Sequence, residues 1–122
     1  MSMLIPKEWE HKHAFLIEAG KAIAKVSVVF GHFECEPKRI DVLDFSAFAD
    51  TMQTLCLRQR RDSSGIEDLR ATISVFDSHH EAVREHRVLG DDEFQKGLAS
   101  AQRLRWWLHK TFPDARPHPE RN

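Results

Sequence analysis

The sequence predicts an all-α domain, an antiparallel four-helix bundle-like fold in a single unit. Three observations carry this. Apolar residues recur at spacings of three, four and seven in four separate stretches, the period of a helix that buries one face. Turn-forming residues stand between the stretches: Gly31 with Pro37, then Asp62-Ser63-Ser64-Gly65, then Gly90, with Pro113 closing the last. The joints are short, which favours antiparallel neighbours, and 122 residues can bury one core without metals or disulfides.

The first helix is expected over about 6–30. Pro6 suits a first turn, because its fixed φ is helical and its missing N–H would have had no partner there. Glu8 and Glu10 lie near the positive end of the helix dipole. Trp9, Leu16, Ile23 and Phe30 recur every seven residues, with Ala19 and Val26 between them, as a bundle seam does. The run Val26-Ser27-Val28-Val29-Phe30 is rich in β-branched residues and is compatible with a strand. The unbroken seam favours helix.

The second helix is expected over 41–61, with Asp41 or Asp44 as N-cap and Val42, Phe45, Phe48 or Ala49, Met52, Leu55 and Cys56 on its buried face. Arg58, Arg60 and Arg61 suit the negative end of its dipole. The third, 64–89, opens on Ser64 and Glu67, spaced as a capping box, and places Ile66, Leu69, Ile73, Phe76, His80 and Val83 on one face. Gly90 is the natural residue to end it. The fourth, 91–112, is capped by Asp91 or Asp92 and has Phe94, Leu98, Ala101, Leu104 or Arg105, Leu108 and Phe112 on its apolar face. Pro113 stops it, and Pro117 and Pro119 leave 114–122 as a flexible polar tail.

Composition narrows the function classes. With 18 basic and 19 acidic residues the chain has no overall attraction to nucleic acid or to an anionic membrane. The charge is unevenly spread: residues 63–100 carry eight acids against four bases, and 101–122 carry five bases against two acids. Such halves can pair with each other or with a partner. Cys35 and Cys56 form no CxxC, which fits reduced thiols; Cys56 sits in an apolar run, and Cys35 lies between Glu34 and Glu36, which make it a poor nucleophile. No basic segment followed by a long apolar run opens the chain, so no signal peptide is expected and the location expected is cytoplasmic.

No constellation requires an enzyme. His80 interrupts an apolar seam, where it is either a satisfied core histidine or a titrating group. The eight histidines give no metal-ligand pattern: His79 and His86 are two turns apart, about 10 Å along a helix, too far for one ion. Glu10 and His13 make a single Glu-x-x-His where a di-iron bundle needs two. No nucleophile elbow or phosphate-cradling glycine loop is present. No metal and no cofactor are expected.

Two basic clusters, Arg58-Arg60-Arg61 and Arg103-Arg105-Lys110, make nucleic-acid binding an alternative. In the second cluster Arg103 and His109 stand five residues apart on the last helix, a spacing similar to the Arg-x4–6-His motif of HEPN-family ribonucleases. That resemblance covers two residues and implies metal-independent RNA cleavage by Arg103 and His109 across a dimer seam; Leu104 stands where the family commonly has a polar residue.

The pair Trp106-Trp107 points elsewhere. Adjacent residues on a helix diverge by about 100°, so two large rings cannot both enter one core seam. With Leu104, Leu108 and Phe112 inward, Trp107 falls at the edge of the core and Trp106 shares a face with Gln102, Arg103, His109 and Lys110. Trp and Arg dominate binding hot spots. The leading expectation is therefore a small non-catalytic interaction or regulatory protein. It would contact a protein partner or a second copy, as a homodimer, through Gln102, Arg103, Trp106, His109 and Lys110, and would favour an acidic partner surface.

Overall fold

Among the described residues every regular element is a helix, and Val26–Phe30 lies inside the first of them. The structure, a computed structural model, describes residues 7–33 and 46–116. Its helices are α1 (Lys7–His32), α2 (Ser46–Gln59), α3 (Ile66–Arg84) and α4 (Asp91–Thr111). Val26, Val29 and Phe30 are fully buried at spacings of three and four, so burial of one face overrides the strand preference of their β-branched side chains. Asp41, Asp44 and the rest of 41–45, together with Cys35 and the tail beyond 116, lie outside the described residues.

The all-helical bundle expected from the periodicity is present, and its pairings are specific. α3 runs antiparallel to α4: Gly65 meets Trp107 at one end and the His79 ring meets Phe94 at the other, 5.6 Å between centroids. It also runs antiparallel to α2, where Asp50 and Gln53 receive the Arg70 guanidinium. α1 and α4, by contrast, lie side by side in the same direction. His11 is hydrogen-bonded to Asp91 where both helices begin, and Phe33 packs on Phe112 where both end, 5.9 Å apart.

Two apolar clusters fill the bundle. At one end Val26, Val29, Phe30, Met52, Leu69, Leu104, Leu108 and Phe112 form a core shared by all four helices. At the other, Phe15, Ala19, Ala82, Leu89 and Phe94 form a smaller one from α1, α4 and the end of α3 with the segment after it. Helix α2 has 14 residues, about 21 Å, against 26 residues in α1, about 39 Å. It lies over α1 and α3 at the Phe30 end, where Phe48 stacks on Phe30 at 5.3 Å, and among the described residues no helix covers Trp9. Trp9 (61% exposed) and Val83 (54%) are thus solvent-facing, although their spacing placed them in the buried seam. Gly97 lets Phe15 and Val75 bear on α4 together: a Cβ there would lie 2.7 Å from the Phe15 ring and 2.9 Å from Val75.

The helix ends depart from the sequence reading in an instructive way. α3 stops at Arg84, not at Leu89, because His86 takes a left-handed φ of 57°. The Arg87 N–H then donates to the Ala82 carbonyl at 2.7 Å and the His86 N–H to Val83 at 3.1 Å, closing a Schellman motif. α2 ends the same way, with Arg60 at φ 53° and Arg61 N–H donating to the Cys56 carbonyl at 2.8 Å. Gly90, expected to end α3, instead N-caps α4, and Asp91 is the first helical residue. The expected Ser64 cap is absent: Gly65 is the N-cap, and the Ser64 hydroxyl and N–H both donate to the Asp62 carboxylate, at 2.7 and 3.0 Å. Those two bonds, with the Lys110 charge, hold the Asp62 carboxyl below its ordinary value.

Candidate functional site

The two tryptophans of α4 divide as the 100° rotation requires. Trp107 is 5% exposed; its ring lies on Gly65, its edge meets Phe112, and its indole N–H donates to the Asp62 carbonyl at 3.0 Å. Trp106 is 69% exposed. Because its neighbour is clamped on two sides, Trp106 projects from a fixed backbone.

Trp106 borders a shallow cleft between α1 and α4 of about 430 Å³, shared with Lys21, Lys25, Gln102, Arg105 and His109. The parallel packing of α1 and α4 creates this environment. It sets Lys21 and Lys25 of α1 beside Gln102, Arg105 and His109 of α4, of which only His109 lies in a last helical turn, where the negative dipole end favours a cation. Two of those cations are also held internally: Lys25 donates to the Ala115 carbonyl at 3.0 Å, and Arg105 to the Glu18 carboxylate at 2.7 Å. Lys21 stays exposed beside the indole.

Of the five residues expected to form one face, Gln102, Trp106 and His109 line this cleft. Arg103 does not. Its guanidinium turns to α3, donating to Asp68 at 3.0 Å and to the Ser100 hydroxyl at 3.3 Å, and so does not stack on Trp106. Lys110 is exposed and acts on the Asp62 carboxylate, on the Trp107 side of the helix. Arg103 and His109 consequently serve different faces of α4, and within one chain they are not brought together. Lys21 and Lys25 were missed by the sequence reading. Their four-residue spacing marks one basic strip of α1, but nothing in the sequence says that α4 lies beside it in parallel.

The other basic cluster is partly structural. Arg61 sits over the rings of Phe33 and Phe112, 5.0 and 5.1 Å from their centroids. It also donates to the Thr111 carbonyl at 2.7 Å and, through both terminal nitrogens, to the Asp114 carboxylate at 3.0 Å. This clasp ties the link after α2 to the ends of α1 and α4, and it holds the Asp114 carboxyl below the usual range. His80 is half-buried against the Phe76 ring at 5.0 Å. Its neighbour His79 has a buried Nδ1 without a hydrogen-bond partner; burial, then Lys12 and His80, push its pKa below the ordinary histidine value. Cys56 is a buried free thiol whose pKa is raised, first by burial.

Among the described residues no three His, Cys, Asp or Glu side chains are grouped to hold a metal ion, and no helix is long and apolar enough to cross a membrane. Comparison with known proteins found no matching family model, no matching curated protein and no matching solved structure.

Proposed function

We propose that this chain is a small non-catalytic interaction protein of the cytoplasm, acting in a regulatory role by binding a protein partner through the α1–α4 cleft. The observation that carries the reading is Trp106, 69% exposed on a helix whose next residue is locked into the core. A tryptophan side chain buries roughly 150–250 Å². Covering the exposed share therefore removes about 100–170 Å² from water, worth about 3–4 kcal/mol at ~25 cal/mol per Å². Immobilising the ring costs about 0.5–1.5 kcal/mol of side-chain freedom, and the backbone beneath it is already ordered.

Lys21 and His109 beside the indole favour a partner with carboxylates near an apolar residue. Lys110 and Arg103 stand outside the cleft and add long-range field rather than contact. The same cation–aromatic combination suits a nucleic-acid strand. Protein is favoured because Lys25 and Arg105 already have internal partners, which leaves no continuous track for phosphates.

An oligoglutamate peptide carrying one leucine is a suitable probe, titrated by calorimetry at low salt. Binding that is lost in Trp106→Ala, with helicity and melting unchanged, supports the reading. Unfolding of Trp106→Ala would place that ring in the core and end it. Tighter binding of a single-stranded oligonucleotide, with affinity falling steeply in salt, would replace it with the nucleic-acid reading. RNA cleavage without metal, abolished in His109→Ala, would replace it with a ribonuclease.

A further inference from the structure

Helix α3 is tied to its neighbours differently at its two ends. At its start, polar bonds reinforce the packing. The Trp107 indole donates to the carbonyl of Asp62, just ahead of the helix, Arg103 of α4 donates to Asp68 at 3.0 Å, and Arg70 donates to Asp50 of α2 at 2.8 Å. Over its last turns the ties are of another kind. Among the described residues no hydrogen bond or ion pair joins 77–84 to another helix. Apolar packing alone holds this stretch: Ala82 lies in the smaller cluster with Phe15 and Phe94, and the His79 ring lies on Phe94 at 5.6 Å.

His79 places a titratable ring inside that packing, with its Nδ1 buried and without a partner. The neutral ring can carry its proton on Nε2 and leave only a lone pair at the buried position. A second proton has to sit on Nδ1, as a charged donor with nothing to receive it, which is costly. The groups that face the ring add to that cost. Helix α1 brings the Lys12 ammonium and α3 itself brings His80, and both disfavour a cation on His79. Helix α4 brings the Phe94 ring, which carries no charge. The other histidine contact at this end, His11 with Asp91, joins α1 to α4, and a proton on His11 makes it an attraction of opposite charges. Acid therefore keeps α1 on α4 and works against the end of α3.

We infer that the end of α3 is a proton-released latch: a proton on His79 detaches 77–84 from α1 and α4 and uncovers Phe15 and Phe94, while the start of α3 and the larger core stay closed. The direction of titration agrees. Burial first, and then Lys12 and His80, hold the His79 pKa below the ordinary 6.5. The detached segment takes up the proton more readily than the packed one, so detachment is favoured as the pH falls below that value. Acid thereby exposes apolar surface at one end of the bundle without unfolding the other.

Hydrogen–deuterium exchange of the whole chain, corrected for intrinsic rates, reads the two ends of α3 separately. Between about pH 7.5 and about pH 5.5, protection of amides 77–84 should fall several-fold, up to the roughly tenfold limit that one proton sets, while protection of 66–72 stays constant. His79→Phe keeps a ring on Phe94 without the titration, and its two ends should show the same protection at both pH values. Lys12→Glu sets a carboxylate where the ammonium stood and should abolish the acid-driven loss or reverse it, which a merely structural role of Lys12 would not do. Should His79→Phe fail to fold, the wild type and Lys12→Glu decide the matter by themselves. Equal loss at both ends of wild-type α3, no loss at 77–84, a loss that persists in His79→Phe, or a loss unchanged in Lys12→Glu overturns the inference.

Discussion

Gly65→Ala is the most informative single substitution, because it tests the division between the two tryptophans through one methyl group. Gly65 has φ −79° and ψ −4°, a conformation that alanine adopts without strain. The obstacle is steric. A Cβ there would lie 2.0, 2.2 and 2.5 Å from Cδ2, Cγ and Cε3 of Trp107, where carbon contacts prefer about 3.5–4.0 Å. The indole must move by about 1.5 Å, which also draws its N–H away from the Asp62 carbonyl at 3.0 Å. Overpacking of this kind costs about 1–3 kcal/mol, and the hydrogen bond contributes about 1 kcal/mol. Against that, alanine narrows the unfolded ensemble and returns about 0.5 kcal/mol. The net loss expected is about 2–3 kcal/mol, or roughly 10 °C in melting temperature for a domain of this size. Gly20→Ala is the matched control: nothing lies within 4 Å of its added Cβ, and a helix interior gains about 0.5–1 kcal/mol from the exchange. Urea unfolding followed by circular dichroism and by tryptophan fluorescence reads both variants. If Gly65→Ala matches wild type in midpoint and emission, Trp107 does not pack on Gly65, and the assignment of Trp106 as the free ring falls with it.

Three further predictions concern stability. Arg61→Met should cost about 1–2 kcal/mol through the lost ring stacking and Thr111 carbonyl bond, visible as a lower urea midpoint, while a neutral result would show the clasp to be decorative. His86→Gly should stabilise by about 1 kcal/mol, since His86 is exposed and its left-handed φ of 57° is one that glycine adopts freely; a loss in thermal melting would contradict the Schellman assignment. Because the folded pKa of His79 lies below the ordinary 6.5, the unfolded chain takes up that proton more readily, so its contribution is present above 6.5 and declines as the pH falls below it. His79→Phe should therefore lose less stability than wild type between neutral pH and pH 5, and identical pH profiles would refute the burial argument.

What was legible in the sequence follows from which interactions are local. The 3.6-residue period located the helices, and the 100° rotation between neighbours separated Trp107 from Trp106, because both depend on chain geometry alone. The helix ends were less legible: a left-handed position after a helix favours glycine, yet His86 and Arg60 occupy these positions at some cost in strain. Trp9 was placed in a core because a seven-residue repeat says that a face is apolar, not that this chain supplies what covers it. For the site, Gln102, Trp106 and His109 came together as neighbours on one helix, as expected. Arg103 left that face because a carboxylate on α3, Asp68, lies within reach of its flexible stem. Lys21 and Lys25 joined it through the parallel α1–α4 contact, a tertiary fact with no local signature.

The Trp106 cleft would hold a partner in two ways, and salt separates them. The field of its cations is screened within about 10 Å at 0.1 M salt and about 3 Å at 1 M. Oligoglutamate binding there should fall several-fold across that range. Sodium sulfate also strengthens burial of apolar surface. The probe that carries leucine should therefore lose less affinity in a sulfate series than oligoglutamate without leucine. Equal losses for the two probes would mean that Trp106 buries no apolar group of the partner, and the indole would have to be abandoned as the anchor of the contact.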